Sequence, residues 1–355
     1  FYKKKEQMEK KGITSKELLV LSAFLIVFSI PSCDVDNDDQ QWSAEVDTIL
    51  ADYITSSSAT FNADILGDIS SLEEMGFCYS KAPLPTIQDS KLTVPVTIGL
   101  FNASAEALDP GTMYYVRAYY IEGNLVYYSD EVSFTTTVPV SDINDNTYET
   151  VQVGDQVWLR SNLAVKNYRN GDPIEDGSLL GNYLELEEPK YFFYFNDEPD
   201  NESDYGLLYT WFTITDDRNI CPEGFRVPDI MDWENLIIHL DPLAYRSDNL
   251  PVNSLELSAV AGGMMKTTGN VEDNTGLWYQ PNGDASNVSR LSFLPNGLRD
   301  PSGTFDGLGY NSPHWSFTEY DQGSAIMYYT HFFNGGVYTN NFSKKSGYAV
   351  RCIKD

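Results

Sequence analysis

Nucleophiles and soft metal ligands are scarce in this 355-residue chain, which carries four cysteines and three histidines. No second Cys or His stands at ligand spacing to Cys221 or Cys352, so neither reads as part of a metal centre or a catalytic pair. His239, His314 and His331 are scattered singly, and nucleophile-elbow, phosphate-loop and dinucleotide glycine signatures are absent. His314, with Trp315, Glu319 and Tyr320 close in sequence, is the histidine placed to join a polar ligand site. Asp142-x-Asn144-x-Asn146 opens like a calcium loop, but Thr147 stands where the glycine belongs and Val153 where the closing Glu belongs, so it reads as a turn. These side chains predict a protein that is not an enzyme and that uses no cofactor or metal.

Rings are the abundant resource. Trp278, Tyr279, Tyr310, Trp315, Tyr320, Tyr328 and Tyr329 crowd the last third of the chain. Sugar sites use such rings as stacking platforms, and a domain poor in regular elements also needs them to fill its core; both readings stand. Gln280-Pro281-Asn282 resembles the tripeptide with which C-type lectins hold calcium and sugar, and Asn282, Asp284 and Asn287 offer oxygens. No W-N-D partner follows, so an asparagine-glycine turn is the default. The candidate ligand-binding set is Trp278, Tyr279, Asn282, Asp284, His314, Trp315, Glu319 and Tyr320.

A formal net charge of −29 repels phosphates, which excludes nucleic acid and favours neutral or cationic partners, sugars included. At the N-terminus six lysines precede an apolar run over 18–30, shorter than the roughly 20 residues of a spanning helix and suited to a signal peptide. Ile30-Pro31-Ser32-Cys33 resembles the lipobox of bacterial lipoproteins, although Pro31 departs from the pattern. That resemblance implies removal of 1–32, acylation of Cys33 and attachment to a membrane through the lipid anchor. The acidic tether that follows, 33–41, resembles the export tag of outer-membrane lipoproteins of the Bacteroides group, which implies display on the cell surface.

Two folded blocks are expected to position the candidate residues. Over 42–137, alternating segments at 57–65, 74–80 and 92–100 and a hairpin 113–121/125–136 predict a β-sandwich. Leu108-Asp109-Pro110-Gly111-Thr112-Met113-Tyr114 resembles a corner of fibronectin type III domains, with Val116, Ala118 and Tyr120 facing inward. The resemblance implies a tyrosine-corner role for Tyr114 and a spacer role for the block, with Phe61 where an early-strand Trp is usual. Cys78 is expected in the sandwich core as a small hydrophobe.

The second block, 138–355, begins after Pro139 with a hairpin around Gly154-Asp155. Asp229 is a good N-cap and Trp233, Leu236, Ile237 and Leu240 recur at helical spacing, which predicts one helix; strands are expected at 191–195, 291–293, 325–333, 336–340 and 348–353, with a long loop over 267–287. Six separated motifs run through it: 157–163 (VWLRSNL), 205–211 (YGLLYTW), 221–228 (CPEGFRVP), 293–299 (FLPNGLR), 315–320 (WSFTEY) and 350–355 (VRCIKD). In these the block resembles the Fibrobacter succinogenes major paralogous domain, a family related to C-type lectin and formylglycine-generating-enzyme folds. The resemblance implies few helices, irregular sheets and a long-range disulfide, Cys221 to Cys352, suited to an oxidising compartment.

The fold class expected is thus mainly β with one or two helices: an N-terminal, fibronectin III-like sandwich and a C-terminal α+β, C-type-lectin-like domain. The function expected is a non-catalytic binding or adhesion module for a glycan or a surface protein. The alternatives are an extracellular enzyme on a polymer, with Glu319 and an aspartate as acid and base, or a structural part of a surface assembly.

Overall fold

A computed structural model describes residues 44–178, 180–245 and 255–355. The expected signal peptide (1–32), the expected acylation site Cys33 and the expected acidic tether (33–41) lie outside the described residues. Glu45–Asp52, Ser58–Leu66 and Gly99–Glu106 form one antiparallel sheet. Ser90–Val94, Leu72–Ser80, Met113–Glu122 and Leu125–Tyr128 follow one another in a second, where Val132–Thr135 also pairs with Met113–Glu122. Alternation sends Phe61, Ile65, Phe77, Val116, Ala118 and Tyr120 into a shared core. Tyr114 is buried in the same core and its hydroxyl accepts from Asp109 N at 3.1 Å, which ties down the preceding corner.

Two details differ from the sequence reading. Segment 92–100 is not one strand: Ser90–Val94 pairs with Leu72–Ser80, whereas Gly99–Glu106 pairs with Ser58–Leu66 in the other sheet. Pro95, which has no N–H to give a ladder, sits at the break. Cys78 is buried, but Phe77 and Tyr79 take the inward positions. It faces the opposite side, its Sγ 3.3 Å from Pro85 O, and burial pushes its thiol up to about 11.

The second block is also mainly β. One sheet runs Phe225–Arg226, Ile353–Lys354, Gln156–Leu159, Thr150–Val153, Ile54–Thr55, so the last strand lies beside the first hairpin and a strand from the N-terminal block closes the edge. A four-stranded sheet, Leu255–Ser258, Val337–Ser343, Ser324–His331, Asn311–Glu319, carries the aromatic-rich segments. Helix Ile230–Leu240 starts in a capping box: Asp229 accepts from Met231 N (2.8 Å) and Asp232 N (3.1 Å), and Asp232 accepts from Asp229 N (2.8 Å). It buries Trp233, Leu236, Ile237 and Leu240, with Trp233 stacked on Tyr328 at 5.0 Å.

Three further α segments, Glu202–Tyr205, Trp211–Ile214 and Ala261–Met265, are too short to show a period in sequence. Expected strand 291–293 is reduced to a bridge between Lys266 and Phe293. Expected strand 348–353 is interrupted, because Arg351 and Cys352 turn inward to partners described below.

Asp52 joins the blocks. Its Oδ1 accepts from Tyr53 N (2.8 Å) and Gly154 N (2.9 Å), and its Oδ2 lies 2.6 Å from His239 Nε2 at the end of the helix. Gly154, at φ +58, leaves room for that ring, since a Cβ there would meet His239 Nδ1 at 2.7 Å. The bond to Asp52 raises the His239 pKa against the effect of burial, and the nearby charges of Asp52 and Asp155 act in the same direction. Burial works to raise Asp52, but the bond to His239, its charge and the two backbone N–H groups prevail and lower it.

A raised histidine contributes fully below about pH 6.5 and loses that contribution as pH rises through its folded value. A lowered aspartate contributes fully above about pH 3.8 and loses it as pH falls through its folded value. The clasp is therefore complete between those limits. Thermal midpoints taken from pH 5 to 8.5 should fall in the wild type relative to His239→Gln as pH rises, and parallel curves would refute this.

Candidate functional site

The interior of the second block is polar at its centre. Arg351 is fully buried without a carboxylate: Nη1 donates to Leu159 O (3.1 Å) and Leu291 O (2.6 Å), while Nε (3.1 Å) and Nη2 (2.9 Å) donate to Asn162 Oδ1. Asn162 Nδ2 donates to Tyr205 O at 2.9 Å. His314 lies between Asn162 Oδ1 (2.9 Å from Nε2) and Ser312 O (3.1 Å from Nδ1). Burial, with the Arg351 charge beside it, drives the His314 pKa far down, so the ring is neutral. Trp315 Nε1 donates to Tyr209 O (2.8 Å) and Trp211 Nε1 to Ser316 O (3.1 Å). Asn162, Tyr209, Trp211, Trp315 and Arg351 each come from one of the separated motifs. The motifs thus bond to one another and build a frame, closed by the disulfide Cys221–Cys352.

This corrects four of the candidate assignments. His314, Trp315 and Trp278 are all closed to solvent and offer no face to an external sugar. Trp278, within the long loop, turns its ring inward, its Nε1 donating to Thr267 Oγ1 at 3.1 Å. Asn282 is also buried: its Nδ2 donates to Thr267 O (3.0 Å) and Gly269 O (2.8 Å), and its Oδ1 has no partner. Glu319 is exposed and accepts from Lys344 Nζ at 2.6 Å, but it and Tyr320 lie at the far end of Asn311–Glu319 from Tyr310. Asp284 is exposed and Tyr279 is half-buried.

Tyr279 belongs to a row of rings. Its centroid is 4.7 Å from Tyr310, Tyr310 is 5.0 Å from Phe332, and Phe332 is 6.1 Å from Phe333 and 4.7 Å from His331. Tyr310 is 44% exposed and Phe333 66%, so the row ends at the surface as an aromatic ledge. Three loops supply it, bonded in sequence: Tyr279 N to Gly309 O (2.9 Å), Phe332 N to Tyr310 O (2.8 Å) and Gly283 N to Phe332 O (2.8 Å). Gly309, at φ +81, is required, because a Cβ there would come within 2.4 Å of the Tyr279 ring.

Under the ledge sits Lys266, fully buried. Its Nζ donates to Gly283 O (2.9 Å), His331 O (2.9 Å) and Asn334 O (2.8 Å), and lies 5.2 Å from the Trp278 ring. Burial pushes its pKa down to about 8, the Asp284 charge opposes that, and the ammonium persists at neutral pH. Burial and the Lys266 charge lower the His331 pKa, so that ring is neutral there too. Lys266, Phe332 and Phe333 were not singled out from the sequence; a lysine standing just before a ring-rich loop is the weak signal that was available. Among the described residues, no three of His, Cys, Asp and Glu are grouped to hold a metal ion.

The fold and the frame define a mainly β, disulfide-closed domain whose motifs supply the interior frame and whose loops between motifs carry the rings of the ledge. The family model of the Fibrobacter succinogenes major domain matches residues 151–354, and the chain belongs to that family. No curated protein matches. Two solved structures of the sensor domain of the anti-sigma factor RsgI4 from Pseudobacteroides cellulosolvens are partly similar. One is 18% identical and covers 27% of this chain and 95% of its own at a TM-score of 0.21; the other, a solution structure, is 19% identical over 27% and 76% at 0.23. Overlap at that level bears on neither fold nor function.

Proposed function

We propose that the chain is a non-catalytic, surface-displayed binding lipoprotein that takes a neutral glycan on the ledge of Tyr279, Tyr310, Phe332 and Phe333. The ledge carries the reading: contiguous rings offer stacking faces to the apolar face of a sugar, and their loops are held by a buried ammonium rather than left mobile. The charge of −29 weighs against anionic sugars. The buried disulfide is in keeping with an oxidising compartment, and the acylation of Cys33 belongs to the same reading.

Binding of the full chain to a glycan array should be saturable for one class of neutral sugar. Tyr310→Ala and Phe333→Ala should each weaken it roughly tenfold, the loss of one stacked ring, with the thermal midpoint little changed because both rings are exposed. No saturable binding, or binding indifferent to both substitutions, would remove the glycan from this surface.

A further inference from the structure

The backbone of the ledge loops has few acceptors left to offer a ligand. Tyr279 O, Gly309 O, Tyr310 O and Phe332 O accept from Asn282 N, Tyr279 N, Phe332 N and Gly283 N, and the carbonyls of Gly283, His331 and Asn334 share the Lys266 ammonium. Asp284 Oδ2 accepts from Gly335 N at 3.1 Å. What remains beside the rings, apart from the phenol hydroxyls of Tyr279 and Tyr310, is a pair of donors.

His331 supplies the first. Its Nδ1 accepts from Phe333 N at 3.1 Å, which puts the proton of the neutral ring on Nε2. Nε2 has no partner among the described residues and is not closed off from solvent, and the ring centroid stands 4.7 Å from that of Phe332. Asn311 supplies the second. It pairs directly opposite His331 where the two strands meet the ledge, so both side chains leave the same face. Its Oδ1 is buried and has no partner, whereas Nδ2 is the end left open, beside Gly307, where a Cβ would meet it at 3.0 Å. Two unpaired N–H donors thus lie next to Tyr310 and Phe332.

That arrangement discriminates among neutral sugars. Each sugar hydroxyl brings a proton of its own that needs an acceptor, whereas the carbonyl oxygen of an acetamido group only accepts. The acetamido methyl is an apolar face for a ring, and its N–H points away from the carbonyl and keeps its water. We infer that the ledge takes a glycan bearing acetamido groups, the carbonyl oxygen accepting from His331 Nε2 and Asn311 Nδ2 and the methyl lying on Tyr310 and Phe332. The inference rests on the glycan reading of the ledge and narrows it to one substituent.

The test is isothermal titration calorimetry of the full chain with tri-N-acetylchitotriose and with cellotriose, trimers of one β-linked frame in which an acetamido group replaces a hydroxyl on each ring. The acetylated trimer should bind about tenfold more tightly, the contribution of one or two neutral hydrogen bonds. His331→Asn can still accept from Phe333 N but does not reach the Nε2 position, and should bring the acetylated trimer down to the affinity of cellotriose. His331→Gln places an amide nitrogen near the Nε2 position and should keep the preference. Equal affinity for the two trimers, with both weakened by Tyr310→Ala, would overturn the acetamido inference and leave the glycan reading intact. Loss or retention of the preference in both His331 variants alike would also overturn it, since donation by Nε2 predicts opposite results. Binding of neither trimer would overturn it as well, and an array with no neutral-sugar hit would then remove the glycan reading too.

Discussion

Cys221→Ala/Cys352→Ala is expected to lower the unfolding free energy by about 5 kcal/mol. The bond spans a sequence separation of 131 residues, and in the chain-entropy account a loop of that length restricts the unfolded ensemble by about that amount. Both cysteines are buried in the core formed with Leu159, Phe225 and Val350, so the alanines also leave small apolar gaps. Urea unfolding of the oxidised wild type and the double variant, read by tryptophan fluorescence, measures the difference. A loss below about 1 kcal/mol would mean that the Arg351 frame alone holds the last strand, leaving the disulfide little to restrain.

The frame explains why the fold was legible and the site was not. Alternation and capping are local, so the sandwich strands, the hairpin at Gly154-Asp155 and the helix after Asp229 could be read directly. The motifs were legible as a pattern, but their purpose was not. Trp315 and His314 looked like ligand groups because tryptophan and histidine beside a Glu suggest chemistry, whereas each is committed to an interior acceptor more than 100 residues away in sequence. Residues that recur in fixed motifs here are those that must meet one another across the core. The rings of the ledge lie in the loops between, where no spacing rule applies, although one motif ring, Phe317, is also 48% exposed. Phe332 and Phe333 were hidden for a related reason: in a strand-like run they read as core, and only the ending of Ser324–His331 one residue earlier turns them outward.

Lys266→Met should test whether the ledge is pre-formed by its interior support. The substitution conserves most of the aliphatic stem over Trp278 but leaves Gly283 O, His331 O and Asn334 O without their shared donor. Each unsatisfied carbonyl costs about 1–3 kcal/mol, partly offset because burying an ammonium is itself unfavourable, so a net loss of about 3 kcal/mol is expected. The pH dependence gives a sharper sign. The folded pKa of Lys266, about 8, lies below its ordinary 10.5, so between those values the unfolded chain binds more protons than the folded one. Wild-type stability should therefore rise relative to Lys266→Met from about pH 8 to about pH 10.5, where the native state no longer pays to bury a charge. At neutral pH the amides of Gly283 and Phe332, which between them link the three loops, should exchange faster in the variant. Binding at the ledge should fall with them although every ring is intact, because loops ordered only on contact spend binding energy on their own ordering. Unchanged exchange at Gly283 and Phe332 would show that the backbone bonds among the loops suffice, and would assign Lys266 to the core alone.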